Sequence, residues 1–168
     1  MKLPNPKWFI PVAIVYIIFM IIILYTCVAS AEEGDWDKLI PCVIQAESSG
    51  NPNTYNKKSG AIGLMQITPI VLKEWNLHYH EQYLQNAPII DQRYNIGDLY
   101  KSSINVTVGT WYLKRIWNHY LPHYKLEQSL ENLLACYNFG IGNVKNGKNF
   151  PRETVNYIKK IKKCLRRD

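Results

Sequence analysis

One carboxylate lies among apolar side chains on a predicted helix. Glu47 follows Ile40 by seven residues and Val43 by four, so at about 100° per residue the three side chains share one helix face. Glu47 also falls in the last turn, where the helix dipole disfavours a negative charge. Burial and the dipole both raise a carboxyl pKa, and a carboxyl protonated near neutral pH can act as a general acid. From this helix alone two interpretations stay open: Glu47 is a catalytic general acid, or it is a last-turn glutamate that faces solvent.

Two glycine-rich segments accompany this carboxylate. Residues 60–69 read GAIGLMQITP, and two glycines three residues apart predict tight backbone geometry or close approach to a ligand. Residues 135–144 place Tyr137 and Asn138 at the end of a predicted helix, before another glycine loop. Each segment alone is typical of a glycine-rich turn, but together with Glu47 they indicate a binding site.

Five predicted helices position these segments, each marked by capping residues, prolines or glycines near its ends. The regular part of the first helix starts near Ile40, with Pro41 in its first turn or at a kink, and the helix stops at Gly50 and Pro52. The second opens at Thr68 and Pro69, and the third is capped by Asn105 and stopped by Pro122. The fourth is capped by Ser129 and runs from Leu130 to Tyr137, and the fifth runs from Pro151 to about Leu165. No alternation of apolar and polar residues competes with them, so the predicted fold class is mainly α, with glycine-rich active-site loops.

An uncharged apolar segment precedes this body. Residues 9–31 carry no charged side chain, two lysines lie before them and four acidic residues follow, an asymmetry that predicts the N-terminus inside and the body outside. The Ala-Ser-Ala sequence at 29–31 is typical of a signal-peptidase site, whereas the segment is also long enough to span a bilayer. Residues 1–31 are therefore either a signal peptide or a single transmembrane anchor, and residues 32–168 form the exported domain.

The net charge of +7 does not come from the body of the chain. Residues 159–168 carry six basic side chains and one acidic one, residues 1–7 add two lysines, and residues 8–158 hold 12 side chains of each sign. A neutral body with a basic tail argues against a nucleic-acid partner.

Neither the cysteines nor the histidines have the spacing of a metal site, so we predict no metal and no cofactor. Cys27 lies in the apolar segment, which leaves Cys42, Cys136 and Cys164 in the exported part. At most one disulfide can form among these three, and buried reduced thiols are the alternative.

Five blocks follow one another in an order that resembles the lytic transglycosylase (SLT) domain, a lysozyme-like fold related to goose-type lysozyme. They extend over roughly residues 38–160, nearly all of the exported part. The blocks are residues 47–52 (ESSGNP), 60–69 (GAIGLMQITP), 105–113 (NVTVGTWYL), 135–144 (ACYNFGIGNV) and 151–157 (PRETVNY). No single block is specific, but their order is.

The resemblance implies a peptidoglycan lytic transglycosylase, a lyase that cleaves the β-1,4 bond between MurNAc and GlcNAc and forms a 1,6-anhydromuramic product. One glutamate, matched here by Glu47, acts first as general acid and then as base. The sequence agrees, because no Asp or Glu lies between Glu47 and Glu74, whereas ordinary glycosidases need two carboxylates. Two alternatives remain: a goose-type hydrolytic muramidase, with Asp91 or Asp98 as a distant second carboxylate, and a wall-binding accessory protein of a secretion system or pilus.

The resemblance also implies five substrate-binding residues: Ser48, Met65, Gln66, Tyr137 and Asn138. Met65 and Gln66 are expected to line the sugar groove. Tyr137 is expected to form a hydrogen bond near the catalytic glutamate and orient it, and Asn138 to contact glycan or position its loop. Ser48 is expected to support the turn that follows the glutamate.

The expected partners are the glycan strands of peptidoglycan, the membrane if residues 9–31 are kept as a tether, and secretion or envelope machinery. The expected location is the bacterial cell envelope, in the periplasm or otherwise outside the cytoplasm.

Overall fold

A computed structural model describes residues 14–20, 35–85 and 93–167. The chain forms two compact units, residues 1–36 and residues 37–168. In the first unit, residues 14–20 are helical and their side chains are exposed. Over the described residues, no helix combines the length and the apolarity needed to cross a membrane. The predictions for the rest of the N-terminal segment fall outside the described residues and stay predictions.

Helices make up most of the described body. The α-helices are α1 (Trp36–Glu47), α2 (Pro69–Gln85), α3 (Ser102–Arg115), α4 (Leu121–His123), α5 (Leu130–Phe139), α6 (Ile141–Lys145) and α7 (Arg152–Leu165). A 3-10 helix, Ile96–Tyr100, precedes α3, and a π-helical turn, Ile116–Tyr120, connects α3 to α4. The predicted fold class, mainly α, is confirmed.

The helix that carries Glu47 begins earlier than predicted. It starts at Trp36 rather than near Ile40 and continues through Pro41 to Glu47. An interior proline removes one backbone hydrogen bond and crowds the preceding turn. Burial of the apolar face of α1 offsets that cost, since Leu39 on one side of the proline is buried.

A short hairpin follows α1. Strands β1 (Tyr55–Asn56) and β2 (Ala61–Ile62) pair antiparallel, with Tyr55 opposite Ile62. Ile62 also exchanges two backbone hydrogen bonds with Ile67, at 3.0 and 2.9 Å between N and O, so the second half of the segment 60–69 folds back onto the hairpin. The sequence did not predict these strands, because two residues are too few for an alternating pattern.

The third predicted helix differs from the expectation at both ends. Its α-helical part begins at Ser102, so Asn105 lies inside α3 and is fully buried, and it does not act as the cap. At the other end the helix continues through the π-helical turn into α4. Pro122 therefore lies inside α4 and does not stop the helix before it. By contrast, the predicted starts at Pro69 and Ser129 are confirmed, the latter by a hydrogen bond of 3.3 Å from the Asn132 N–H to the serine Oγ.

The last helix packs against α5 and is fixed to α1. Ile161 of α7 and Leu134 of α5 are both fully buried. A disulfide between Cys42 and Cys164 connects α1 to α7, which settles the pairing that the sequence left open. Cys136, in α5, is a buried free thiol. The helix that carries Glu47 is therefore linked covalently to the last helix.

Candidate active site

Glu47 is the last residue of α1; it is partly buried, and Tyr157 and Lys160 of α7 act on its carboxyl. Burial is the main cause that raises the pKa of its carboxyl, to about 7. The negative charge of Glu153 raises the pKa further, whereas the Tyr157 hydroxyl and the Lys160 ammonium lower it. The net result is a carboxyl whose pKa lies close to neutral pH; a catalytic role for it stays a prediction.

Tyr157 places a buried phenol next to this carboxyl. Its side chain is 8% exposed, and its hydroxyl forms no hydrogen bond of ordinary geometry with the described residues. The hydroxyl is nevertheless close enough to Glu47 to stabilise the ionised form of that carboxyl. Burial and the charge of Glu47 in turn raise the pKa of the Tyr157 hydroxyl well above 10. Sequence reasoning named Tyr157 only as part of a block and gave it no role.

Ser48 ties the turn after Glu47 to the glycine-rich loop. Its Oγ donates to the carbonyl of Leu64 at 2.9 Å and lies 3.2 Å from the carbonyl of Ile44. The same oxygen accepts from the N–H of Gly50 at 3.2 Å. These contacts support the turn, as expected, and contact between Ser48 and substrate stays a prediction.

Asn105 organises the loop from within the core. Its Oδ1 accepts from the Met65 N–H at 2.8 Å, and its Nδ2 donates to the carbonyls of Ile62 and Leu99, each at 2.8 Å. Gly63 allows this approach, since a Cβ there would lie 2.3 Å from Asn105 Nδ2 and its φ is +80°. Sequence reasoning missed this role, because a buried asparagine cannot be distinguished from a helix cap by its local neighbours.

Met65 does not line the groove with its side chain, contrary to the expectation. The side chain is 0% exposed and packs against Gly109, where a Cβ would lie 2.4 Å from the methionine sulfur. Met65 instead reaches the site through its backbone, because its carbonyl accepts a hydrogen bond from the Tyr137 hydroxyl at 2.8 Å. The apolar character of methionine suits this buried position.

Tyr137, Gln66 and Asn138 line one groove of about 250 Å³, together with residues of α2 and Tyr112 of α3. Gln66 adopts a positive φ of 49°, and its Nε2 donates to the carbonyl of Gly63 at 3.1 Å. Burial raises the pKa of Tyr137, and so does the charge of Glu47, so a residue of the groove lies within electrostatic range of the carboxyl. The structure thus brings together three of the five residues that were expected to bind substrate.

Asn138 is held by α7. Its Oδ1 accepts from the Thr154 Oγ1 hydroxyl at 2.8 Å, and Thr154 is itself 2% exposed. The charge of Glu153, the preceding residue, acts on Glu47, so the first turn of α7 holds a groove residue and also influences the carboxyl electrostatically.

The other carboxylates that were considered in the sequence have different surroundings. Glu74 pairs with Arg115 and accepts a hydrogen bond from Tyr120. Asp98 binds Lys101 and the Asn95 N–H in the 3-10 helix, and Asp91 lies outside the described residues. Within the part of the chain that the structure describes, no group of three or more His, Cys, Asp and Glu side chains is arranged to hold a metal ion.

The sequence profile of the transglycosylase SLT domain matches residues 25–158, more than half of the chain. The chain belongs to the SLT transglycosylase family. Its mainly helical architecture is that of the family's lysozyme-like fold, and membership associates it in general with lytic transglycosylases that act on peptidoglycan in the cell envelope. A search of curated proteins finds no match.

Proposed function

We propose that the chain is a peptidoglycan lytic transglycosylase that cleaves the β-1,4 bond between MurNAc and GlcNAc and releases a 1,6-anhydromuramic product. Glu47 is its single general acid and base. The observation that carries the proposal is the setting of Glu47: a partly buried carboxyl with a pKa of about 7, whose charge acts on Tyr137, which lines a groove with Gln66 and Asn138.

The reaction needs one group that changes its protonation state twice. Protonated Glu47 donates its proton to the glycosidic oxygen as the bond from C1 of MurNAc to that oxygen breaks, and GlcNAc leaves with the proton. The Glu47 carboxylate then accepts the proton of the muramyl 6-hydroxyl, whose oxygen forms the new bond to C1. Glu47 returns to its protonated form and no water is consumed. A pKa near the working pH suits both steps.

The loops supply the surface for the glycan. Gln66 and Asn138 present amide groups to the groove, and amides can donate to and accept from sugar hydroxyls. Met65 contributes through its backbone and Ser48 through the turn that it supports. The wall substrate also requires export, which we assign to residues 1–31 as a signal peptide or anchor, and secretion or envelope machinery is a compatible partner.

Hydrolysis is the second candidate, and one observation favours keeping it. A hydrolytic muramidase needs a second carboxylate to activate water. Asp91 and Asp98 were the groups named from the sequence, but Glu153 is the described carboxylate whose charge acts on Glu47. Glu153 is therefore the residue with which a hydrolytic mechanism must be tested.

The experiment compares three proteins on purified sacculi, with soluble muropeptides identified by mass spectrometry. The wild-type chain is expected to release products that carry 1,6-anhydromuramic acid. Glu47→Gln should lose at least 100-fold in turnover, the range for removal of a general acid, while circular dichroism stays native. Glu153→Gln should keep anhydro products. Reducing-end products that disappear in Glu153→Gln would favour hydrolysis instead.

A further inference from the structure

A lysine of α7 contacts the end of the helix that carries Glu47. The Lys160 Nζ lies 3.0 Å from the carbonyl oxygen of Gln45 and 3.2 Å from that of Ala46. These two residues directly precede Glu47 in the chain. The last carbonyls of an α-helix have no partner within the helix, and the helix dipole makes that end negative. A cation from another element thus caps α1 at the position of the candidate catalytic group.

The charged and titratable groups around Glu47 come from two elements. Helix α7 supplies Glu153, Tyr157 and Lys160, and α5 supplies Tyr137. Lys160 is the cation in this set. It counteracts burial and the charge of Glu153, both of which favour the protonated carboxyl.

The lysines next to Lys160 in the sequence have different surroundings. Lys162 pairs with Glu131 of α5. Lys159 and Lys163 belong to a basic surface at the end of α7 that also includes Arg166. Lys159 is exposed, as Lys160 is, so it provides a matched control for the loss of one positive charge from the same helix.

We propose that Lys160 is a positioning residue for Glu47: its ammonium fastens the last turn of α1 to α7 and supplies the positive charge that the ionised carboxylate needs when it acts as base. The proposal rests on the proposed function, in which Glu47 must give up its proton and take another within one turnover. After the first transfer the carboxylate is buried, and a nearby cation stabilises it in that state. The Cys42–Cys164 disulfide connects the same two helices and keeps the lysine within reach.

The variants separate charge from packing. Lys160→Met removes the charge and the hydrogen bonds, Lys160→Gln keeps an N–H donor without the charge, and Lys160→Arg keeps both. Lys159→Met is the control. All are made in the full chain with the disulfide intact, and thermal unfolding followed by circular dichroism reports whether each folds.

The first measurement is a ¹³C NMR titration of the Glu47 carboxyl, assigned by its absence in Glu47→Gln. Lys160→Met and Lys160→Gln should raise its pKa by roughly half a unit, the size expected for one partly exposed charge pair. The shift should shrink at 1 M salt, where such pairs are screened. Lys160→Arg and Lys159→Met should leave the pKa unchanged.

The second measurement is the pH profile of kcat/KM for glycan cleavage. The alkaline limb, where the general acid is lost, should move upward by the same amount in Lys160→Met and Lys160→Gln. Their kcat should fall while KM changes by less than about twofold, since the lysine does not line the groove, and Lys160→Arg should restore kcat.

Two results would overturn the proposal: an unchanged Glu47 pKa in both Lys160→Met and Lys160→Gln, or an equal shift in Lys159→Met, which would indicate a general effect of net charge. If the wild-type chain cleaves no glycan, the proposed function fails by itself, and the titration still decides whether Lys160 governs the charge of Glu47. If Lys160→Met does not fold, Lys160→Gln provides the comparison.

Discussion

The raised pKa of Glu47 has a consequence for stability that can be measured without substrate. Folding moves the pKa of this carboxyl from an ordinary 4.5 to about 7. Between these two values the folded chain binds a proton that the unfolded chain has released, so the free energy of unfolding falls as the pH rises through this window. At 1.36 kcal/mol per pKa unit, the ionised carboxyl costs the folded state about 3 kcal/mol above pH 7.

Glu47→Gln isolates this cost, because glutamine resembles the protonated carboxyl and does not titrate. Below pH 4.5 the variant and the wild type should have similar free energies of unfolding. At pH 8 the variant should be more stable by about 3 kcal/mol. Urea unfolding at pH 4 and pH 8 measures both differences, and Glu127→Gln, at an exposed position, controls for the loss of one carboxylate. A difference between variant and wild type that is the same at both pH values would refute the account of a buried, proton-holding glutamate.

Three further predictions concern the framework of the site. Asn105→Ala leaves the Met65 N–H without its partner and removes one hydrogen bond from each of the carbonyls of Ile62 and Leu99. It should lower the free energy of unfolding by about 3 kcal/mol, read from urea unfolding, and a loss below about 1 kcal/mol would contradict this prediction. Replacing Cys42 and Cys164 together by serine opens a loop with a sequence separation of 122 and should cost about 4 kcal/mol by the same assay, whereas Cys136→Ala should cost less. Tyr137→Phe removes the hydrogen bond to the Met65 carbonyl and should cost about 1 kcal/mol and lower glycan turnover; wild-type turnover would argue against a role in positioning the loop.

Some features of the site could be predicted because they depend on neighbours in sequence. The apolar stripe of α1 placed Glu47 on a buried face, and the cap at Ser129 depends on a contact three residues away. The start of α2 at Pro69 likewise follows from the fixed φ of proline at a first helical position.

The features that could not be predicted depend on contacts between distant residues. Asn105 binds the backbone 40 and 43 residues away, so its local resemblance to a cap gave the wrong prediction. Met65 belongs to the core because Gly109 leaves room for it. The two hydrogen bonds of Lys160 to α1 join residues that are 114 and 115 positions apart in the sequence. No pattern within α7 distinguishes this lysine from its neighbours. Tertiary packing, not local propensity, decided each of these cases.

In the proposed mechanism Glu47 works alone, without a water nucleophile. The most direct test is the wild-type reaction on purified glycan in H₂¹⁸O, with the mass of the new muramyl end measured. This mechanism predicts 1,6-anhydro ends without ¹⁸O, because the muramyl 6-hydroxyl supplies the oxygen. Muramyl ends that carry one ¹⁸O would contradict it and assign the chain a hydrolytic mechanism.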